Sequence, residues 1–389
     1  MLFIHSADWQ LGKPFAGVED PDKRALLQHQ RFEAIRRIGE LARERAARFV
    51  VVAGDLFDSP RPTQATVASA CSAIGAIGLP VFTIPGNHDH AGPGSLWTES
   101  FFVRESARLA PNLKVLAEEQ PVLFEDTVLL PCPLVRRQAT FDPTAWLRSP
   151  GVFGALSGSS PRIVIAHGSV QDFGTAAVDD EDQPGAGQPN RIDLEALPTD
   201  SIDYVALGDW HGTKRVGPAA WYPGTPELDR FVRGGDHDPG NTLVVTAARG
   251  RAPEVEVVRT TGISWHDLEF EFIGNLGPAQ LDERVSALID TRANRDLLRL
   301  RLRGSLGLAD TQTLDNLIQS WQARLVRLKL FREVGLVPSE EEQNALTTRA
   351  SDPLVARVAG ALIAQARGND EQAEIARMAL RELHMALHS

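Results

Sequence analysis

Hydrophobic and polar positions follow two alternating patterns along the first half of the chain. Residues 22–48 repeat apolar side chains at helical spacing with Arg and Glu between them, and the small side chains of residues 64–78 predict a second helix. Between these helices, the unbroken apolar run from Phe49 to Ala53 predicts a strand buried on both faces. Strand alternating with helix is typical of a covered sheet. We therefore predict an α/β fold for this part of the chain.

Five apolar runs of this kind end in short polar segments. The segments are SADWQ after the first run, followed along the chain by AGDLFD, PGNHD, AHG and GDWHG. Ligands of open α/β sheets gather at the carboxyl ends of the strands, so we expect the five segments to meet at one edge. A single Asp or His in a loop is more often a cap or a satisfied polar group. Five such segments together favour a functional site.

The polar segments supply carboxylate, amide and imidazole groups and no thiolate. This mixed donor set suits Mn, Fe, Zn or Mg. Two divalent ions ~3.5–4 Å apart need one bridging carboxylate and several terminal ligands, which the set can supply. We therefore expect a two-metal centre at these segments, with the candidate residues Asp8, Gln10, Asp55, Asn87, His88, Asp89, His167, Asp209 and His211.

The pattern changes near residue 250. The segment PEVEVVRTTGISWHDLEFEF alternates like strands, residues 278–290 are amphipathic, and LLRLRLRG precedes a predicted helix at 311–328. From Ser339 onward the chain is helical in character. These changes predict three parts, namely a main domain at 1–250, a small α/β capping domain at 251–338 and a helical C-terminal segment at 339–389.

Composition narrows the class of protein. With 389 residues and 43% hydrophobic side chains, the chain can bury a large core. A formal charge of −11 argues against non-specific coating of nucleic acid, but it is compatible with a local positive groove. The two cysteines, Cys71 and Cys132, are expected to be buried thiols in a reducing compartment. No apolar run approaches the ~20 residues of a membrane span, so we expect a cytoplasmic protein. The acidic stretch 171–191, with scattered Gly and Pro, predicts a loop.

The ordered set of polar motifs resembles the calcineurin-like metallophosphoesterase family. Within that family, HSADWQLG, AGDLFDS, IPGNHD and the later YPGTPE are most similar to the SbcD-type DNA exonuclease branch. The resemblance implies a four-layer αββα sandwich with a small α/β cap and a helical C-terminal tail. It also implies two divalent metal ions, with Mn²⁺ favoured and Mg²⁺ as the alternative. Its implied substrate is DNA, cleaved at phosphodiester bonds, and its implied partner is an SMC-like (SbcC-type) ATPase.

By position, the resemblance implies a role for each ligand residue. Asp8 and His211 would hold the first ion, and Asp55 would bridge both ions. Asn87 and His167 would hold the second ion. The family pattern therefore assigns most of the polar segments to metal binding.

Two positions depart from the family pattern. Gln10 stands where a histidine of the first ion is usual, and Asp209 stands where a histidine of the second ion is usual. Gln offers only a neutral amide oxygen, whereas Asp209 adds a negative charge and a hard oxygen. Because the other motif residues are present, we expect an altered but working site, tuned toward Mn or Mg, in preference to a decayed one.

The same resemblance implies a catalytic histidine. His88 would meet the leaving oxygen or the charge of the transition state, and the carboxylate of Asp58 would orient its ring and stabilise the imidazolium. Lys13 and Arg61 stand beside the motifs and are candidates for phosphate contacts. Charges next to turns are more usually just solvated, so these two residues are the weaker candidates.

The leading prediction is a metal-dependent DNA nuclease acting in DNA repair or end processing. The chain contains no GxxxxGK[S/T] phosphate-binding loop, so an ATPase would be a separate subunit. One alternative is a phosphoesterase for small nucleotides or proteins, and the other is a DNA-end or partner-binding subunit with a weakened metal site. The apolar stripes of residues 340–389 predict docking on the ATPase or on a second copy of the chain. Packing of these helices on their own domain is nearly as strong an alternative.

Overall fold

The computed structural model describes residues 1–154, 156–170, 190–231, 238–348, 352–368 and 370–388. The chain divides into two compact units, Met1–Ile263 and Ser264–Ser389. Most of the predicted acidic loop, residues 171–189, lies outside the described residues. Each unit buries apolar side chains in a core of its own.

The first unit consists mainly of strands and of helices that follow them. Its strands are β1 (Leu2–Ser6), β2 (Val50–Val52), β3 (Val81–Thr83), β4 (Leu113–Val115), β5 (Val122–Phe124), β6 (Thr127–Cys132), β7 (Arg162–His167), β8 (Ser169–Val170), β9 (Arg191–Ile192), β10 (Tyr204–Gly208), β11 (Lys214–Arg215), β12 (Ala220–Tyr222), β13 (Asn241–Thr246) and β14 (Glu254–Arg259). Its α-helices are α1 (Pro21–Glu44), α2 (Gln64–Ile77) and α3 (Ser100–Leu109). The helices and the strand predicted between residues 22 and 78 are confirmed, and the largest difference is at the end of α1, which stops at Glu44 and not at residue 48.

Two six-stranded sheets form the frame of the first unit. The order in one sheet is β14-β13-β1-β2-β3-β4, and the order in the other is β11-β12-β10-β7-β6-β5. Strands β1 to β4 run parallel to each other, and β6, β7, β10 and β12 also run parallel. The five polar segments follow β1, β2, β3, β7 and β10, so each lies at the carboxyl end of a parallel strand.

Apolar side chains fill the space between the two sheets. Phe3 stacks on Phe49 with ring centroids 5.0 Å apart, and Phe49 meets Phe82 edge to face at 5.6 Å. Helices α1, α2 and α3 cover the outer face of the first sheet. In the described part of the chain, 3-10 turns at Ala145–Arg148 and Thr199–Ser201 lie beside the second sheet. The predicted α/β sandwich is therefore confirmed, and its outermost layer beside the second sheet contains short turns.

Helix α1 supplies one face to the core of the first unit. The side chain of Asp20 begins the helix by accepting from the backbone N–H groups of Asp22 at 2.9 Å and Lys23 at 3.2 Å. Pro21 occupies the first helical turn, where its missing N–H costs no hydrogen bond. The buried face is apolar except for one charged side chain, Arg31, which is 2% exposed.

The second unit is a small α/β unit. Its strands β15 (Ser264–Phe272), β16 (Asp296–Leu306) and β17 (Arg327–Leu336) form a parallel sheet, and α4 (Pro278–Ile289) and α5 (Leu308–Arg324) pack on it. Strand β14 pairs with β13 of the first unit. The alternating segment that follows residue 250 is therefore divided between the two units.

The C-terminal segment is helical, as predicted. Its helices are α6 (Glu340–Thr347), α7 (Pro353–Ala366) and α8 (Glu371–His388). They belong to the second unit and pack within it through a cluster that contains Leu308, Leu346 and Leu380. Other apolar side chains are exposed, among them Leu354 at 64% and Ile375 at 52%. None of the helices in the described ranges has the length and apolar character needed to cross a bilayer.

Candidate metal centre

The tips of β1 and β2 run side by side into the site. The backbone N–H of Asp8 donates to Gly54 O at 3.1 Å, and that of Gln10 donates to Asp55 O at 2.9 Å. Asp8 and Asp55 both adopt a left-handed backbone with φ of 53°. This conformation costs of the order of 1–3 kcal/mol per residue and is typical of functional sites. It turns both carboxylates into one buried space.

Two glycines allow the polar segments to approach this closely. A Cβ on Gly54 would lie 2.2 Å from His167 Nδ1, and a Cβ on Gly86 would lie 2.2 Å from Asp55 Oδ1. Neither atom could move away without displacing a proposed ligand. The glycines of the AGD and PGN segments are therefore required by contact with the site itself.

Asp8, Asp55 and His167 form the centre of the site. Their ligand atoms lie within 4.8 Å of one another, and all three side chains are buried. His167 Nδ1 lies 2.8 Å from Ala53 O and donates to it, which leaves Nε2 directed at the acidic groups. That nitrogen is 3.4 Å from Asp55 Oδ2 and 3.7 Å from Asp209 Oδ1. Three of the predicted strand tips therefore meet at one point, and Asp209 adds a fourth.

Asn87 presents its amide oxygen to acceptor atoms. Asn87 Oδ1 lies 2.8 Å from His167 Nε2 and faces the Asp55 carboxylate. Turning the amide over would place its NH₂ group 2.9 Å and 3.2 Å from the two Asp55 oxygens. A bound cation would stabilise the orientation in which the amide oxygen faces the acceptor atoms. Without a cation, the turned amide satisfies the same acceptor atoms by donating from its NH₂ group.

His211 and Gln10 form the other side of the site. His211 Nδ1 is 2.9 Å from Asp229 Oδ2, and a proton on Nδ1 leaves the lone pair of Nε2 facing the site. Nε2 lies 3.3 Å from Gln10 Nε2 and 4.0 Å from Asp8 Oδ1. Gln10 Oε1 is buried and has no hydrogen-bond partner among the described residues. The predicted ligand position of Gln10 thus has an unsatisfied oxygen.

The charge balance of the site fits metal binding. Burial raises the pKa of Asp8 to about 8, with neighbouring Asp55 and Asp209 adding to the effect and His167 opposing it. Burial also lowers the pKa of His167, but Asp55 outweighs it, so this pKa lies well above its ordinary value. Burial and the nearby Arg230 lower the pKa of His211 to about 4, which keeps the ring neutral. Crowded carboxylates that attract protons would attract a divalent cation in the same way.

The orientation of His88 differs from the prediction. His88 Nδ1 lies 2.7 Å from the main-chain oxygen of Asp58, not from its carboxylate. The carboxylate instead faces Lys13, whose Nζ is 3.8 Å away. The expected carboxylate–imidazole dyad is therefore wrong in its acceptor atom, because the main chain of Asp58 orients the ring.

The two predicted phosphate-binding residues occupy different environments. Lys13 is buried, with Nζ 3.8 Å from Asp58 and 3.7 Å from Asp229. Because Asp58 lies beside the His88 ring and Asp229 holds His211, Lys13 connects the supports of two site histidines. Arg61 is exposed on the segment after β2. Lys13 is thus placed to support the site, and Arg61 is placed on its surface.

Sequence reasoning missed the structural roles of three residues. Asp89 accepts from the backbone N–H groups of Gly86 at 2.7 Å and Phe57 at 2.9 Å, which shapes the loop that carries His88. Asp229 orients His211. Arg31 was hidden on the apolar face of α1. Only its charge at an apolar helical position could have drawn attention to it.

The chain belongs to the calcineurin-like phosphoesterase family, whose profile matches residues 1–239. Among solved structures, TT1561 of Thermus thermophilus is similar at 14% identity, with 67% of this chain and 98% of that chain covered and a TM-score of 0.38. A second crystal structure is similar at 11% identity over 67% of this chain and 98% of that chain, with a TM-score of 0.40. Family membership implies metal-dependent hydrolysis of phosphoesters.

Proposed function

We propose that this protein is a DNA nuclease that hydrolyses phosphodiester bonds with two divalent ions, Mn²⁺ in the first place and Mg²⁺ as the alternative. The observation that carries the proposal is the convergence of five strand tips on one buried acidic site. The residues that would hold the ions are Asp8, Gln10, Asp55, Asn87, His167, Asp209 and His211. Ions bound there would neutralise phosphoryl charge and lower the pKa of water toward neutrality.

His88 is placed to handle a proton. Donation from Nδ1 to Asp58 O leaves Nε2 facing the site, 3.9 Å from Asp55 Oδ2. Burial lowers the pKa of His88, but Asp55 and the Asp58 carbonyl outweigh it, so the pKa is raised. A protonated Nε2 can donate to the leaving oxygen as the phosphodiester breaks. This supports His88 as the general acid.

A polymeric substrate is supported by basic side chains beside the His88 loop. The backbone N–H of Ala91 donates to Leu134 O at 2.8 Å, which ties the segment after β6 to that loop. Asn190 holds the far end of the segment by donating to Arg137 O at 3.1 Å. The side chains of Arg136 and of Arg137, the residue of the second tie, are exposed. They are placed to contact phosphates that flank the scissile one.

The nuclease assignment is tested with the full chain on linear duplex DNA and, in parallel, on bis(p-nitrophenyl) phosphate. We expect Mn²⁺-dependent cleavage of both substrates. The double change Arg136→Ala with Arg137→Ala should impair DNA cleavage, reduce its salt dependence and spare the small diester. Arg36→Ala with Arg43→Ala, on the exposed side of α1, is the matched control.

Other outcomes identify the alternatives. Hydrolysis of small phosphoesters with intact DNA would indicate a small-molecule or protein phosphoesterase. Tight DNA-end binding without hydrolysis, in the presence of saturating Mn²⁺, would indicate a binding subunit with a weakened site.

For the partner, we propose an SMC-like ATPase that docks on α7 and α8, with a homodimer as the alternative. The support is the exposed apolar surface that includes Leu354 and Ile375. Leu354→Glu with Ile375→Glu should abolish ATPase binding without changing the melting temperature, and Val103→Glu, at a site exposed on α3, is the control. Self-association in light scattering that the double variant abolishes would favour the homodimer.

The two cysteines are free and buried, which supports a reducing cytoplasm.

A further inference from the structure

Arg31 lies beneath the site and binds two separate segments of it. Its Nε donates to Trp9 O at 2.7 Å, and its Nη2 donates to Asp8 O at 3.1 Å. Nη2 also donates to Thr225 Oγ1 at 3.2 Å, and Nη1 donates to Glu227 O at 3.4 Å. All four acceptors are neutral oxygens. The guanidinium therefore joins the tip of β1 to residues 225–227.

Each of the two segments that Arg31 joins carries or directly contacts one of the proposed ligands of the first ion. The side chain of Asp8 is one of them, and its backbone is held in the left-handed region at φ 53°. The other is His211, whose carbonyl accepts from the backbone N–H of Thr225 at 3.1 Å. Asp229, which orients the His211 ring, follows Glu227 by two residues. Thr225 Oγ1 lies 3.0 Å from Asp8 O and 2.8 Å from Glu227 O, which closes the network.

A buried guanidinium is costly to place in a fold. Arg31 is 2% exposed, and removing such a charge from water is unfavourable unless its hydrogen bonds are satisfied. Apolar side chains would pack the same helix face without that cost. The hydrogen bonds of Arg31 go to the strained tip of β1 and to residues 225–227. The guanidinium therefore fixes the position of these two segments relative to each other.

We propose that Arg31 is a positioning residue for the first metal ion, which it serves by holding Asp8 and His211 at a fixed separation. The inference rests on the proposed two-metal function. Apart from the bridging Asp55, the second ion has its proposed ligands on the segments after β3, β7 and β10, and Arg31 donates to none of these residues. Loss of Arg31 should therefore weaken the binding of the first ion selectively. Loss of a group that orients metal ligands typically lowers metal affinity by about 10–100-fold.

The experiment is a Mn²⁺ titration of the full chain, in which free Mn²⁺ is measured by electron paramagnetic resonance. The wild type should bind two ions, in two classes. Arg31→Met should weaken the weaker class by about 10-fold or more while the tighter class stays within about twofold. Arg31→Lys, which keeps the charge but fewer donors, should recover part of the loss. Thr225→Val removes one hydroxyl of the same network and should shift the same class, which provides the test if Arg31→Met does not fold.

Arg43→Met is the matched control. Arg43 also lies on α1 and also donates to main-chain oxygens, those of Ala76 at 3.4 Å and Ile77 at 3.0 Å, but these belong to α2. It should leave both classes unchanged. Equal weakening of both classes by Arg31→Met, or unchanged binding in Arg31→Met or Thr225→Val, would overturn the inference. A wild type that binds no Mn²⁺ would overturn the proposed function itself.

Discussion

The two halves of the proposed metal centre are held in different ways. In the half of the second ion, His167 donates to the main-chain oxygen of Ala53 at 2.8 Å, and Asp209 accepts from Ser169 Oγ at 2.8 Å. Both supports come from the strands and tips that surround the site. This half is therefore held by buried strands and their tips.

The half of the first ion depends on side chains from distant segments. His211 relies on the Asp229 carboxylate at 2.9 Å, and the Asp8 carbonyl relies on Arg31 and Thr225. Its third candidate ligand, Gln10, is neutral and has an unsatisfied oxygen. Each half would supply one carboxylate besides the shared Asp55, so the comparison indicates that the first ion would differ in having a weak neutral ligand, Gln10, and a less direct support. We therefore expect it to be the weaker ion and to set the metal requirement of activity.

Removing Asp55, the ligand that the two ions would share, should abolish the binding of both ions. Asp55→Ala takes away the carboxylate that faces His167 at 3.4 Å and accepts from the backbone N–H of His88 at 2.9 Å. Hydrolysis should fall to background, and calorimetry should detect neither class of Mn²⁺ site. Asp126→Ala, an exposed change in the turn between β5 and β6, should behave as wild type. Retained turnover in the Asp55 variant would exclude this site as the centre of catalysis.

Substitution of His88 should impair catalysis without changing metal binding. His88→Ala is expected to lower the turnover number by about 10²-fold or more, because it removes the proton donor. Elemental analysis should find the same metal content as in wild type, since His88 belongs to neither half. Loss of metal together with activity would make His88 a ligand.

The matched control for His88→Ala is a change at Asp58, whose main-chain oxygen accepts from the His88 ring. Asp58→Asn keeps the main-chain oxygen that lies 2.7 Å from His88 Nδ1 and changes only the carboxylate near Lys13. Turnover should stay within about 10-fold of wild type, given that one neutralised buried charge near the site is the only change. A loss as large as that of His88→Ala would restore the carboxylate to the catalytic role expected from sequence.

The fold and the meeting of the polar strand tips were accessible from sequence because both have local causes. Apolar runs that end in polar residues mark buried parallel strands, and the carboxyl ends of such strands must meet. The supports of the first half have no local signal. Asp229 acts on His211, 18 positions away, and Arg31 acts on Thr225, 194 positions away. Asp58 was the right residue with the wrong atom, since a sequence specifies side chains but not the direction of a main-chain oxygen.

Removing a negative charge from the half of the second ion should narrow the difference in Mn²⁺ affinity between the two sites. Asp209→Asn keeps an acceptor for Ser169 Oγ and removes one negative charge beside His167. We expect the tighter class of Mn²⁺ site to weaken by about 10-fold, equivalent to ~1.4 kcal/mol, while the weaker class changes less. If only the weaker class responds, Asp209 belongs to the first half, through its backbone N–H to Asp8 at 3.1 Å.

The complementary change strengthens the first half. In this structure the Gln10 amide nitrogen lies 3.3 Å from His211 Nε2, the nitrogen that would bind the first ion. A bound ion must therefore displace that contact and take up the unsatisfied Gln10 oxygen, or bind without Gln10. Gln10→His replaces the weak neutral oxygen with an imidazole, which is a stronger ligand for Mn²⁺ and for softer ions.

We expect Gln10→His to lower the Mn²⁺ concentration for half-maximal activity by a few fold, with a larger gain for Zn²⁺ or Co²⁺. Gln10→Asn is the matched control, because it keeps the amide but shortens its reach, and it should raise the Mn²⁺ requirement. The backbone at residue 10 has φ 41°, so the melting temperature of each variant must be compared before affinities are interpreted. If both variants fold and neither changes the metal requirement, Gln10 does not contact the first ion. Asp8 would then be the only ligand from the tip of β1, and the weakness of the first half would be due to its support by Arg31 and Asp229.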